Sequence, residues 1–449
     1  MTGAGGRFLA LALAAAALGS APAPPQDRSA AVFGDPPRKV VLKTGLPLIF
    51  HRDTASPATA LGIVIPGGRS AVPEGLDGLA YLTARLSLEI PDEDKVRDLM
   101  AQATRLSVWC SEDFAFLLVE CLSEDLEAAL RVAAKIVQDP LLSAIRVGAV
   151  KEAMAIQARA ETDEPVLSAR GAAFAGFFRG KGYGSAAYGT DASRKAIGRK
   201  DVVAFYRRTF TDAGVFFCVA SDLDLAEIQA LLERHFSRVP RGEAGEALPQ
   251  DPPALPAERK IVLPRETGQT LVARAFALPA PTAEGHALGT LLEAVLGRGP
   301  GSRLWDLRSV EKLAYEVEAR LTWTKGAGLL EAFLVTESGR TERAAAALDR
   351  TLARLREEGL TAEELGAAKT VAKAAVLRAV EPKVGRIGLL ALYEVLGLGP
   401  GGLAGIAEAL EAVGAEAFNA YVKAVLDPER ALEVTVGPGA AGGRQGDGT

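Results

Sequence analysis

The sequence predicts an α+β protein of two homologous domains, each a mostly antiparallel sheet backed by helices on one side, related by internal duplication. Recurring landmarks are the first observation behind this. Ser123 opens an apolar-periodic helix (Leu126, Leu130, Ala133, Val137) that stops at Pro140, and Thr341 opens a matching one (Leu348, Leu352, Leu355) that stops at Gly359, 218 residues on. A further helix in each half runs up to Glu164-Pro165 and Glu381-Pro382, 217 apart. DVVAFYRRTFTD from Asp201 parallels EAFNAYVKAVLD from Glu416, with Tyr206 and Tyr421 215 apart. The second observation is that short apolar strand-like runs are mixed with these helix pairs.

The elements follow in chain order. Residues 1–23 read as a secretory signal: Arg7 flanks an apolar run of eleven from Phe8 to Leu18, then small residues follow. Eleven residues fall short of the roughly 20 that span a bilayer, so the mature chain is expected to be exported, periplasmic if bacterial, without a membrane span. Residues 24–37 form an N-terminal arm. VVLKTGLPLIFHRD, then ATALGIVIP, read as paired strands around Thr44-Gly45. RLSVWC and FAFLLVECL flank the polar turn Ser111–Asp113, and VFFCVAS closes a first domain of residues 38–240. Residues 241–258 carry four prolines and no apolar period, as a linker would. The second domain, 259–438, holds KIVLP, TLVARAFAL, YEVEARLTW, GLLEAFLVT and ALEVTVG, and a capping box from Thr361 to Glu364. Residues 439–449 read as a disordered tail.

Composition narrows function. The chain has 449 residues, 49% hydrophobic and 24% charged, which excludes general disorder. A net charge of −5 gives no electrostatic footprint for nucleic acid. Three cysteines, Cys110, Cys121 and Cys218, exclude a disulfide scaffold, and their apolar settings suit small buried hydrophobes. Three histidines, His51, His235 and His286, are all there are for metal or acid–base work. None sits near a plausible partner, so they read as non-ligand residues, His235 as a surface helix position. There is no G-x-S-x-G elbow either.

The helix from Gly75 to Glu89 (GLDGLAYLTARLSLE) is the informative one. Leu79, Leu82 and Leu86 share its apolar face, while Tyr81, Ala84 and Arg85 share another. At this spacing two histidines can grip zinc while a carboxylate serves as base. Together with the duplicated halves, this helix resembles the pitrilysin/insulinase family of zinc peptidases, in particular the processing-peptidase branch built from paired chains. Active members carry H-x-x-E-H here; this chain has Tyr81-Leu82-Thr83-Ala84-Arg85. The family's third ligand, a Glu on a later helix, aligns with Gly148 or Val150, with Glu152 nearby, and one carboxylate cannot hold zinc. Arg85 adds a positive charge that repels metal, with Asp77, Glu74 or Glu89 as possible partners. Where active members place an Asn at the groove edge, Ser107 to Trp109 stand instead.

LGRGPGSRLWDLRSVEKLAYEV (296–317) is similar to the family's "SRL…LRE…LAY" segment. The resemblance implies that Arg308 and Tyr315 contact substrate, a cationic fork and a phenol on a carbonyl oxygen that gains charge. Gly297, Gly299 and Gly301 fall where the family's non-catalytic subunit bears a flexible glycine-rich loop. The implied function is a non-catalytic, substrate-contacting subunit of an exported heterodimeric zinc peptidase. No metal or cofactor is expected on this chain; a zinc-bearing homologous subunit and a peptide substrate are the expected partners. The alternative is a peptidase-derived scaffold or binding protein with no role in proteolysis.

Overall fold

The computed structural model describes residues 35–88, 97, 101, 103–242, 250–297 and 299–438. The expected signal, nearly all of the expected N-terminal arm, part of the expected linker and the expected tail lie outside these residues. Every run read as a strand forms one. The first half supplies β1 (Arg38–Val41), β2 (Pro47–Arg52), β3 (Ala58–Pro66), β4 (Arg105–Cys110), β5 (Phe114–Leu122) and β6 (Phe216–Ser221). The second supplies β7 (Lys260–Pro264), β8 (Gln269–Leu278), β9 (Glu316–Trp323), β10 (Gly328–Glu337) and β11 (Leu432–Gly437).

The first sheet runs β1-β2-β6-β3-β5-β4 and the second β7-β11-β8-β10-β9. With β1 set aside as an added edge, the two orders are one topology. Only β2–β6 and β7–β11 pair in parallel, at corresponding places. The duplication read from helix landmarks is therefore also written in strand order. β1 and β2 do fold back on each other at Thr44-Gly45, where Gly45 takes φ 89°. β3, however, is not beside β2. Strand β6, distant in sequence, lies between them, and no local pattern announces that insertion.

The helices are α1 (Leu79–Ser87), α2 (Leu126–Gln138), α3 (Ala144–Asp163), α4 (Pro165–Phe177), α5 (Asp191–Ala196), α6 (Arg199–Thr209) and α7 (Leu225–His235) in the first half. The second half has α8 (Ala283–Gly297), α9 (Trp305–Ser309), α10 (Thr341–Glu358), α11 (Ala362–Val380), α12 (Lys383–Val395), α13 (Gly399–Ala404), α14 (Ile406–Ala412) and α15 (Ala415–Val425). Thr361 and Glu364 form the capping box at α11. The two Glu-Pro landmarks mark breaks between consecutive helices: proline ends one helix but suits the start of the next. Glu164 caps α4 through the N–H groups of Val166 and Leu167.

Helices are not confined to one side of each sheet. β3 is buried on both faces along its length, so each sheet needs two covers. One face of the first sheet (Leu61, Ile63, Leu117, Val219) packs on α2 and α7 of its own half. Its other face (Ile49, Val64, Phe116, Cys218) packs on Ile387, Leu390 and Ala391 of α12, from the second half. Reciprocally, Leu271, Ala273, Phe333 and Leu432 of the second sheet pack on Ala169, Ala173, Phe174 and Phe177 of α4, from the first half. The helices that follow the two Glu-Pro landmarks are thus exchanged between halves.

The first of these sandwiches leaves little slack. A Cβ on Gly62 in β3 would lie 2.1 Å from the Phe116 ring. Gly62→Ala is expected to displace Phe116 and cost about 1–3 kcal/mol, the usual range for overpacking, measured by chemical denaturation. A change below about 0.5 kcal/mol would mean the ring gives way freely.

Candidate functional site

Helix α1 is shorter than its sequence pattern. Gly75 (φ 81°) and Gly78 (φ 88°) are left-handed, so the helix begins at Leu79. A side chain at Gly78 would strike the Gly189 backbone at 2.7 Å. Leu79, Leu82 and Leu86 are buried as expected, in a cluster with Val147, Val150 and Met154 of α3 and Val202 and Phe205 of α6. Ala84 is fully buried as well, so of the other face only Tyr81 and Arg85 reach the surface.

Around Tyr81 the structure assembles groups from four segments. The Tyr81 ring meets Tyr188 edge-on at 4.8 Å. Burial pushes both phenols up, and Tyr188 also feels Tyr81, Glu161 and Cys110. Burial raises the Cys110 thiol to about 12, so it is uncharged. Glu161 is the carboxylate of α3 that couples to this group, and no sequence signal singled it out. Gly148 and Glu152, two turns or more earlier, are exposed, and Val150 is in the core. Burial raises the Glu161 carboxyl, against the pull of Arg69 and Arg170. Glu74 pairs with Lys181 at 3.0 Å, and Glu89 lies outside the described residues.

These residues do not fit a zinc ion. A protonated phenol and a guanidinium stand where the two nitrogen ligands would be needed, and a methyl group where the carboxylate base would be. Among the described residues no cluster of three or more His, Cys, Asp or Glu is close enough to hold a metal. The histidines lie elsewhere and are engaged: His51 is buried with its Nδ1 3.1 Å from Arg386, and His286 is buried beside Tyr393 and Trp323. His235 is not a surface residue: its side chain is largely covered, with Nε2 3.4 Å from Glu127. The end of a helix docked on its neighbours hid it. The three cysteines are free, Cys121 and Cys218 buried and Cys110 partly so.

Next to the Tyr81 group the β4–β5 turn joins the halves. Arg69 pairs with Glu112, and Arg170 of α4 stands 3.6 Å from the same carboxylate. Burial alone would raise the Glu112 carboxyl, but Arg69 and Arg170 outweigh it and hold it below the ordinary range. Asp113 accepts from the Tyr183 hydroxyl at 2.7 Å and from the Lys325 backbone N–H of the second half at 2.7 Å.

Arg308 and Tyr315 occupy another part of the surface. Both are exposed. The Arg308 guanidinium lies over the Trp305 ring, 5.1 Å from its centroid, and Tyr315 is tied only through its backbone N–H to Val335 O, 2.8 Å. No hydrogen bond joins the two side chains. Of the glycines before them, Gly297 is the last residue of α8 and packs so closely that a Cβ would strike Ala319 N at 1.8 Å. Gly299 (φ 74°) and Gly301 (φ 92°) supply the left-handed turn.

Residues 196–371 match the family described as Peptidase M16 inactive domain. Over that stretch the chain resembles the M16, pitrilysin-type peptidases. It is 22% identical over 351 residues to an uncharacterized zinc protease of Mycobacterium leprae, covering 76% of this chain and 79% of the other. Among solved structures, the peptidase M16 inactive domain from Pseudomonas fluorescens superposes with a TM-score of 0.81 at 20% identity, over 90% of this chain and 98% of that one. A chain of complex III2 from Candida albicans superposes at 0.77 and 12% identity, over 89% and 95%. The M16 fold is thus kept whole, while the helix that resembles the zinc-bearing one presents Tyr81, Ala84 and Arg85. The match to an inactive M16 domain supports a non-catalytic, peptidase-derived chain. Among the described residues no helix is long and apolar enough to cross a membrane.

Proposed function

We propose that this chain is the non-catalytic, substrate-contacting subunit of an exported heterodimeric zinc peptidase, with zinc on a homologous partner chain. The observation that carries the reading is the substitution of Tyr81, Ala84 and Arg85 for a metal set in an otherwise complete M16 fold. The partner supplies the metal and the base that activates water. This chain supplies part of the wall against which the peptide lies. Its edge strands suit that role: among the described residues β4 pairs only with β5, and β9 only with β10, leaving one edge of each open. An open edge takes an extended peptide through main-chain hydrogen bonds. Arg308, exposed on α9, and Tyr315, the exposed residue before β9, reach a carbonyl oxygen of that peptide, Arg308 by leaving the Trp305 ring.

A second reading, a scaffold without any role in proteolysis, is favoured by the similarity to the complex III2 chain and by the stacking of Arg308 on Trp305. One experiment separates the two. The tagged chain is recovered from its native envelope extract, and co-purifying zinc and peptide cleavage are measured. The subunit reading expects a chain of similar size with stoichiometric zinc. It also expects cleavage to fall about 100-fold on Arg308→Ala or Tyr315→Phe, the scale for losing one oxyanion donor. A zinc-free assembly without cleavage supports the scaffold.

A further inference from the structure

One acidic side chain sits where neither packing nor pairing accounts for it. Glu331 is in the middle of β10, only 4% exposed. Side chains alternate across a strand. Glu331 therefore shares its face with Leu329 and Phe333, which pack against α4 from the other half. Its register partners are Ala275 on β8 and Arg320 on β9. Among the described residues its carboxyl makes no hydrogen bond or ion pair. The charged groups that act on it are Arg170 on α4, and Arg320 and Glu318 on β9. None is committed to it. Arg170 is held 3.6 Å from Glu112, and Arg320 stands 3.2 Å from Glu318 and over the Phe333 ring. Beyond Arg170 lie Arg69 and Glu161, already engaged with the same first-half cluster.

We infer that Glu331 makes the seam between α4 and the second sheet sensitive to proton concentration, tightening it as the medium becomes acidic. A buried, unpaired carboxylate is better off in water, so its ionised form favours states in which α4 lifts from the sheet. Burial accordingly pushes the Glu331 carboxyl up to about 7, against Arg170 and Arg320. In the opened state it returns toward about 4.3. The closed seam therefore holds a proton that the opened seam releases between these values. Opening becomes rarer as pH falls from about 7 toward 5, by up to about tenfold per pH unit for one proton. A chain exposed to changes in external acidity would close its two halves on each other in acid. This inference does not depend on the function proposed above.

The test is amide hydrogen exchange of α4 in the full chain between pH 5 and 8, corrected for the intrinsic pH dependence of exchange. A local readout is needed because buried His51 and His286, both held below their ordinary range by burial, act on global stability in the opposite sense. The wild type is expected to show α4 opening that falls with pH below about 7. Glu331→Gln, of the same shape, is expected to abolish the slope. Glu331→Asp and Glu161→Gln are expected to keep it. A flat wild-type profile, or a slope that survives Glu331→Gln, overturns the inference.

Discussion

Expressed without the second half, residues 35–242 will not give a folded domain, and neither will residues 250–438 alone. Each sheet would lose the helix that covers one of its faces. For the first, that bares Ile49, Val64, Phe116, Phe216 and Cys218, all buried against the second half. For the second, it bares Leu271, Ala273, Leu329, Phe333 and Leu432. Losing one such core side chain costs about 2–5 kcal/mol, and a whole domain has only about 5–15 to lose. Co-expressed from two cistrons, the halves should associate and recover native near-ultraviolet circular dichroism, because the exchange needs no particular linker. A separate half with its own cooperative thermal transition would mean that the exchanged helices are optional covers.

The second large effect falls on Glu112. Its carboxylate serves two guanidiniums, Arg69 and Arg170, in a site where the Glu112 and Arg69 side chains are 12% and 13% exposed. Glu112→Ala would leave two part-buried cations without their shared carboxylate, Glu161 alone remaining to face them, at a cost of about 3 kcal/mol. The sign of its pH dependence follows from the lowered carboxyl. Its stabilisation is fully present above the unfolded value, about 4.3, and is lost as pH falls through the still lower folded value. Urea denaturation should therefore show a wide gap between wild type and variant at pH 7 that narrows toward pH 3. A gap under about 1 kcal/mol at pH 7 would assign the stability of this turn to Asp113, Tyr183 and Lys325 instead.

The same residues explain why part of the site was hidden in the sequence. The shared face of Tyr81 and Arg85 was legible because helical spacing fixes it, but the burial of Ala84 was not, because the packing around it is tertiary. Glu161 was not, because it lies on α3 far along the chain, and only packing aims it at Tyr188 rather than at solvent. Glu331 was illegible for a related reason. Its strand reads as nearly continuous apolar sequence, and a lone acid within it gives no hint of what lies opposite. Gly297 was read as part of a flexible loop, since a glycine required by close packing looks the same in sequence as one required by a turn.

The amino-acid sequence by itself determined the local elements and the duplication. Strand runs, caps and the Glu-Pro breaks are set by side-chain periodicity and backbone chemistry within a few residues, and both copies repeat them. It also determined that Tyr81, Ala84 and Arg85 stand on α1, which is a matter of residue identity alone. Only the tertiary structure decided that β6 slips between β2 and β3, that α4 and α12 trade places, and that Arg170 stands between Glu112 and Glu331. Those outcomes depend on which buried faces find each other across more than a hundred residues. Burial rewards any apolar cover equally, so the choice of cover is made by the shape of the whole fold.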